Sequence, residues 1–113
     1  MAASLFPSDQ TSVANLCQLI DLSPDATVTK TLCDSPAARL VLFAMDAGQR
    51  LTDHSASKPA LVQVLDGEIE FEINGQSHSL GPAGWVAMPA GETHAVLAVE
   101  ASRFLLTLLK GAE

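Results

Sequence analysis

Basic residues are scarce in this chain. Its 6 lysines and arginines stand against 13 aspartates and glutamates, a formal net charge of −7. That balance excludes an electrostatic nucleic-acid binder and a polybasic membrane contact, both of which need positive surface. Cysteine is nearly absent as well: Cys17 and Cys33 make neither a CxxC pair nor a metal-knuckle spacing, and read as two reduced, small apolar side chains. There is no run of 18 apolar residues to cross a bilayer. The start, MAASLFPSDQ, lacks the basic and apolar regions of a secretory signal, so a soluble cytoplasmic protein is expected. The G-x-S-x-G elbow, the P-loop and G-x-G-x-x-G are missing too, which removes the common nucleophilic and nucleotide-binding chemistries.

What is there is one domain of 113 residues, 48% of them hydrophobic, enough for a single core. Val13, Leu16, Cys17 and Ile20 fall at i, i+3, i+4 and i+7, which predicts a short helix capped by Thr11 or Ser12 within a lead-in over residues 1–25. From residue 26 the pattern is all β. ATVTKTL reads as a strand, and ARLVLFAM and FLLTLL are apolar on both faces, so both faces must be covered. A subunit interface would cover them; so would the N-terminal helix. Asp66-Gly67 and Asn74-Gly75 are tight-turn dipeptides flanking EIEFEI, whose alternation sends Ile69, Phe71 and Ile73 inward and Glu68, Glu70 and Glu72 to solvent. QSHSL, WVAM and HAVLAV continue a meander. Short strands between Gly, Pro and Asn turns give an antiparallel sandwich or barrel.

All three histidines, His54, His78 and His94, lie in the central stretch with the single tryptophan. Gly48-x5-His54 followed by Gly67, and Pro89-x-Gly91-x-x-His94, resemble the two motifs of the cupin family, G-x5-H-x-H-x(3,4)-E-x6-G and G-x5-P-x-G-x2-H-x3-N. The resemblance runs from about Val41 to Leu109 and is closest to the small single-domain, RmlC-like conserved-barrel cupins. It implies a double-stranded β-helix (jelly-roll) barrel over residues 26–113, usually dimeric. In metal-binding relatives two histidines and a glutamate of the first motif join the second motif's histidine on one divalent ion. Here the second histidine is Ala56, the glutamate Ala60 and the closing asparagine Ala98, and the second motif's leading glycine is displaced, with Ala83 in its place and Gly84 beside it.

His54 and His94 are therefore the surviving candidate ligands, with His78 as a third and Gln63 as an oxygen donor if a bulge turns it inward. The candidate cofactor is one divalent transition metal (iron, manganese, zinc or nickel). The alanines read equally as room for a small-molecule pocket bounded by Ala56, Ala60, Val62, Val64, Trp85 and Met88, with imidazole as its polar handle. Three readings stand: a homodimeric barrel binding a small molecule with or without a metal; a metal-dependent dioxygenase-type enzyme, or an isomerase or decarboxylase; and a non-catalytic dimer filled by its own side chains.

Overall fold

A computed structural model describes residues 4–111. Nine strands form, β1 (Thr27–Asp34), β2 (Ala38–Met45), β3 (Arg50–His54), β4 (Ala60–Asp66), β5 (Ile69–Ile73), β6 (Gln76–Leu80), β7 (Trp85–Met88), β8 (His94–Ala98) and β9 (Ser102–Leu109). They make two antiparallel sheets, one in the order β1-β2-β9-β4-β7 and the other β3-β8-β5-β6. From β2 onward the chain crosses between the sheets, the double-stranded β-helix arrangement expected from the sequence. The Asn74-Gly75 turn joins β5 to β6 as a hairpin, with φ of 51° and 79°, as the dipeptide predicts. Asp66-Gly67 does something else. β4 pairs with β7 and β9, not β5, so this dipeptide is a corner that carries the chain from one sheet to the other.

The core between the sheets follows from strand alternation. Val62, Val64, Ile69, Phe71, Val86, Met88, Val96 and Phe104 are buried there, and Phe43 stacks on Phe104 with ring centroids 4.7 Å apart. A second cluster, Ile20, Leu32, Leu42, Ala44 and Leu105, lies on the outer face of the five-stranded sheet, with Phe6, Leu16, Leu19 and Leu22 packed on it. Part of the outer face of β2 and β9 is thus covered by the chain's own lead-in, which answers the double-faced apolar pattern without a second subunit at those positions.

The lead-in is not the predicted helix. Only a 3-10 turn forms, Leu16–Gln18, preceded by Asn15 without a side-chain cap bond, and Val13 is 91% exposed. A short isolated helix cannot offset its nucleation cost. Here the polar backbone finds better partners on the sheet. Leu5 and Phe6 donate to the carbonyls of Thr31 and Leu32 at 2.9 Å. Arg103 Nε donates to Ile20 O and Lys30 Nζ to Leu19 O, both at 2.9 Å. The segment is a strap, tied down by two cationic side chains.

Candidate functional site: the His94 end of the sandwich

One end of the sandwich gathers the motif residues. β3 ends at His54 and β4 begins at Ala60; β7 ends at Met88 and β8 begins at His94. The two connecting loops are joined by Gly91 N–H donating to Ala56 O at 2.8 Å. Across the four-stranded sheet the register runs His54, His94, Ile73, Gln76. Across the five-stranded sheet the matching row is Arg39, Leu108, Ala60, Met88. A register shift between Leu51 and His54 sets His54 opposite His94, one residue out of simple alternation. The His54 side chain lies outside the described residues; its backbone pairing is what the structure gives.

His94 is 7% exposed, and its ring lies parallel to Phe71 at 8°, centroids 5.4 Å apart. Nδ1 sits 3.2 Å from the carbonyl of Glu92. A carbonyl only accepts, so this contact places a proton on Nδ1 and leaves Nε2 as the acceptor of the neutral ring. The Glu92 carboxylate in turn accepts from Asn74 Nδ2 at 2.6 Å, pinning the His94 loop to the β5–β6 turn. His94 is the ionisable side chain among the buried polar residues described, the others being Thr31 and Ser102. Ser102 lies at the opposite end of the sandwich, where β9 begins.

The other candidates separate. Ala60, Val62, Val64 and Met88 are buried in the inter-sheet core, as walls of a pocket would be. Ala56 is half-buried in the loop, its carbonyl engaged by Gly91. Trp85 is not a wall, contrary to expectation. It is 58% exposed, because its neighbours Val86 and Met88 alternate as out-in-out-in from it and the buried pair takes the core. Gln63, paired with Trp85, shares that outer face; no bulge turns it inward. His78 has the inward parity that its spacing from Leu80 predicts, opposite Phe71, but it is exposed on the edge strand β6. One strand, β5, lies between β6 and β8, so the two strand axes are roughly 10 Å apart, and His78, two residues out of register with His94 and open to solvent, is not brought to it.

The donor set therefore does not fit a divalent transition ion by itself. Ala56 and Ala60 bring no donor atoms, and among the described residues no group of three or more His, Cys, Asp or Glu side chains gathers around one point. Two cavities on the surface lie elsewhere. One of about 240 Å³ is lined by Arg50, Glu70, Glu72 and Ser77 on the outer face of the four-stranded sheet. The other, about 460 Å³, lies between the lead-in and β1 at Phe6, Pro7, Leu32 and Cys33.

One functional candidate escaped the sequence reading. Arg39 was absorbed in an apolar run, yet it alternates with Val41, Phe43 and Met45, and Phe43 and Met45 belong to the inter-sheet core. That spacing is the signal that could have found it. Its Nε is buried without a hydrogen-bond partner, and its Nη2 reaches Thr31 Oγ1 only at 3.4 Å.

Comparison with known proteins places the architecture. No family model matches the chain, and no curated protein matches it. Solved structures do. A conserved protein of unknown function from Streptococcus pyogenes is 28% identical with a TM-score of 0.84, over 98% of this chain and 97% of the other. An RmlC-like cupin from Desulfovibrio desulfuricans is 25% identical with a TM-score of 0.82, over 89% and 98%. A cupin superfamily protein from Desulfitobacterium hafniense is 22% identical, TM-score 0.82, over 90% and 94%. Among the described residues no helix is long and apolar enough to cross a membrane.

Proposed function

We infer, from the cupin fold of this small domain and the buried imidazole at one end of it, that the protein binds a small organic molecule between its sheets. The observation that carries this is His94, a titratable ring held at fixed orientation in an otherwise apolar interior. Apolar walls with few convergent polar groups describe an ordinary ligand site. His54, its partner across the ladder, is the second imidazole of the reading. The apolar part of a ligand would lie against Val62, Val64 and Met88, and the room left by Ala56 and Ala60 would admit it.

The test is a ligand screen by thermal shift on the parent, His54→Ala and His94→Ala. Compounds that stabilise the parent should lose their effect in both variants. If every response survives both substitutions, the barrel is filled by its own side chains and the third reading stands.

The pairing of His54 with His94 favours a second reading, a metal-dependent dioxygenase-type enzyme, or an isomerase or decarboxylase, in which substrate or water completes the coordination of iron, manganese, zinc or nickel. Elemental analysis after incubation with Fe²⁺ or Mn²⁺ separates the two. One equivalent of metal that is lost in His94→Ala would favour the enzyme. The protein is expected to work as a homodimer. Supporting this is a patch without charged side chains on the outer face of β4, β7 and β9, Leu61, Gln63, Trp85, Ala87 and Thr107, where two chains of net charge −7 could meet without bringing like charges together. A species of 11.8 kDa alone in sedimentation at micromolar concentration refutes the dimer.

A further inference from the structure

We propose that the ligand of this site is a carboxylate on a small apolar body, and that Arg39 receives the carboxylate; the proposal rests on the reading of the barrel as a binding site. Three observations point there. The first is direction. Arg39 shares the inward face of β2 with Phe43 and Met45, and it lies in the same cross-sheet row as Ala60 and Met88. This row is at the His94 end of the sandwich, where the two connecting loops are bonded together.

The second is an unmet hydrogen bond. Arginine presents donors in a planar fork and no acceptor, and Nε is one tine of that fork. A buried guanidinium N–H without an acceptor is costly, and native structures seldom keep one without a use. No protein group meets it. Asp34, opposite Arg39 across the β1–β2 ladder, gives its carboxylate to Lys110 Nζ at 2.5 Å, and among the described residues Arg39 enters no ion pair.

The third is the sign of what surrounds it. Ala60 stands in Arg39's row at the position where the motif has a glutamate, so the carboxylate of this row is that of Asp34, which Lys110 engages. Toward the interior this row offers the guanidinium as its donor, and what lies beside it there is apolar: Leu108 and Met88, with Phe43 further along β2. A guanidinium with an N–H still unmet, an apolar lining beside it and the row's one acidic side chain held by Lys110 together complement an anion with a hydrocarbon body. A carboxylate can take Nε–H and an Nη–H together, the bidentate geometry that a lysine cannot offer.

The experiment compares matched pairs on the full chain, hexanoate against hexanamide and benzoate against benzamide. Calorimetry reads affinity, and NMR reads the Arg39 Nε–H and the His94 ring. The acids should bind about tenfold or more tighter than the amides, moving both reporters. Arg39→Gln should abolish that preference while leaving the weaker amide binding, and Arg39→Lys should keep only part of it. If acids and amides bind equally, or Arg39→Gln keeps the preference, the carboxylate assignment is overturned while the barrel site survives. If Arg39→Gln does not fold, Arg39→Lys decides: undiminished preference with native melting overturns the proposal, and a several-fold loss supports it. If neither series moves the His94 ring, this proposal and the reading beneath it fall together.

Discussion

Replacing Gly67 by alanine should be among the most damaging single changes in this protein, and the structure says how damaging. Gly67 has φ of +83° at the corner between β4 and β5, the motif glycine that follows Asp66. A left-handed conformation costs a non-glycine residue about 1–2 kcal/mol. A Cβ there would also stand 2.4 Å from the Ala101 carbonyl oxygen and 2.2 Å from Ser102 Oγ, so backbone must move. Ser102 is fully buried, and its hydroxyl accepts from Glu68 N–H at 2.9 Å and lies 2.8 Å from the Glu100 carbonyl, to which it donates. Pushing it aside leaves the Glu68 N–H without its acceptor, a further loss of about 1–3 kcal/mol. Together these amount to about 2–5 kcal/mol, against the roughly 6–17 kcal/mol that a chain of this length holds in total. Gly75→Ala is the control. Its φ is +79°, yet nothing lies within 4 Å of the added Cβ, so only the backbone cost applies. Urea denaturation of both variants gives the comparison, with midpoints read at unchanged slope. Should Gly67→Ala cost no more than Gly75→Ala, the close packing of this corner is not what demands glycine.

Removing the Arg103 side chain (Arg103→Ala) should cost about 1–2 kcal/mol, since Asp66 loses the ion pair at 2.7 Å, keeping the bond from the backbone N–H of residue 103, and Ile20 O loses its donor; hydrogen exchange should rise over residues 16–22 before it rises in β8, and uniform exchange would refute a separately anchored strap. The Cys17 thiol is pushed above the usual thiol range by partial burial, then by the nearby Asp66 carboxylate and its hydrogen bond to it, with Arg103 opposing. Its contribution to stability is therefore complete below the ordinary thiol pKa and is lost as pH rises through the higher folded value. In a Cys33→Ser background the alkylation rate of Cys17 should climb at higher pH than that of a free thiol, and Asp66→Asn should lower that inflection; an inflection at or below the free-thiol value contradicts the contact. The Asp34 carboxyl is held below its usual range by its hydrogen bond to Lys110, with the Lys110 and Arg39 charges adding. Stability from this pair is present above the unfolded pKa and fades as pH falls through the folded one, so Lys110→Met should flatten the acid limb of the stability profile. Because Trp85 is the single tryptophan and exposed, its emission in dilute protein should be that of a solvated indole and should shift to the blue as chains associate through its face. Concentration-independent emission, with a dimer present by sedimentation, would put the interface elsewhere.

Local chemistry reached far in this chain. The alternation of Ile69, Phe71 and Ile73 fixed their inward face, Asn74-Gly75 the hairpin, and the motif spacing brought His54 opposite His94. These are legible because period-two patterning and positive-φ turns depend on a few adjacent residues. Alternation alone would also have placed Trp85 outside and Arg39 inside, had Val86, Met88, Val41 and Phe43 been used as the reference. What no local pattern carries is which strands become neighbours. Asp66-Gly67 looks like a hairpin until the Ser102 hydroxyl, more than thirty residues away, turns it into a corner. The apolar periodicity of residues 13–20 looks helical until the outer face of β2 and β9 competes for the same side chains and wins with a larger apolar surface. The amino-acid order by itself decided the class of fold, the faces of the strands and the end of the barrel where the His54 and His94 backbones pair. Only the three-dimensional packing decided that the lead-in is a strap, that His78 stays at an edge, and that the Arg39 Nε–H is buried without an acceptor, because each depends on contacts between segments far apart in the chain.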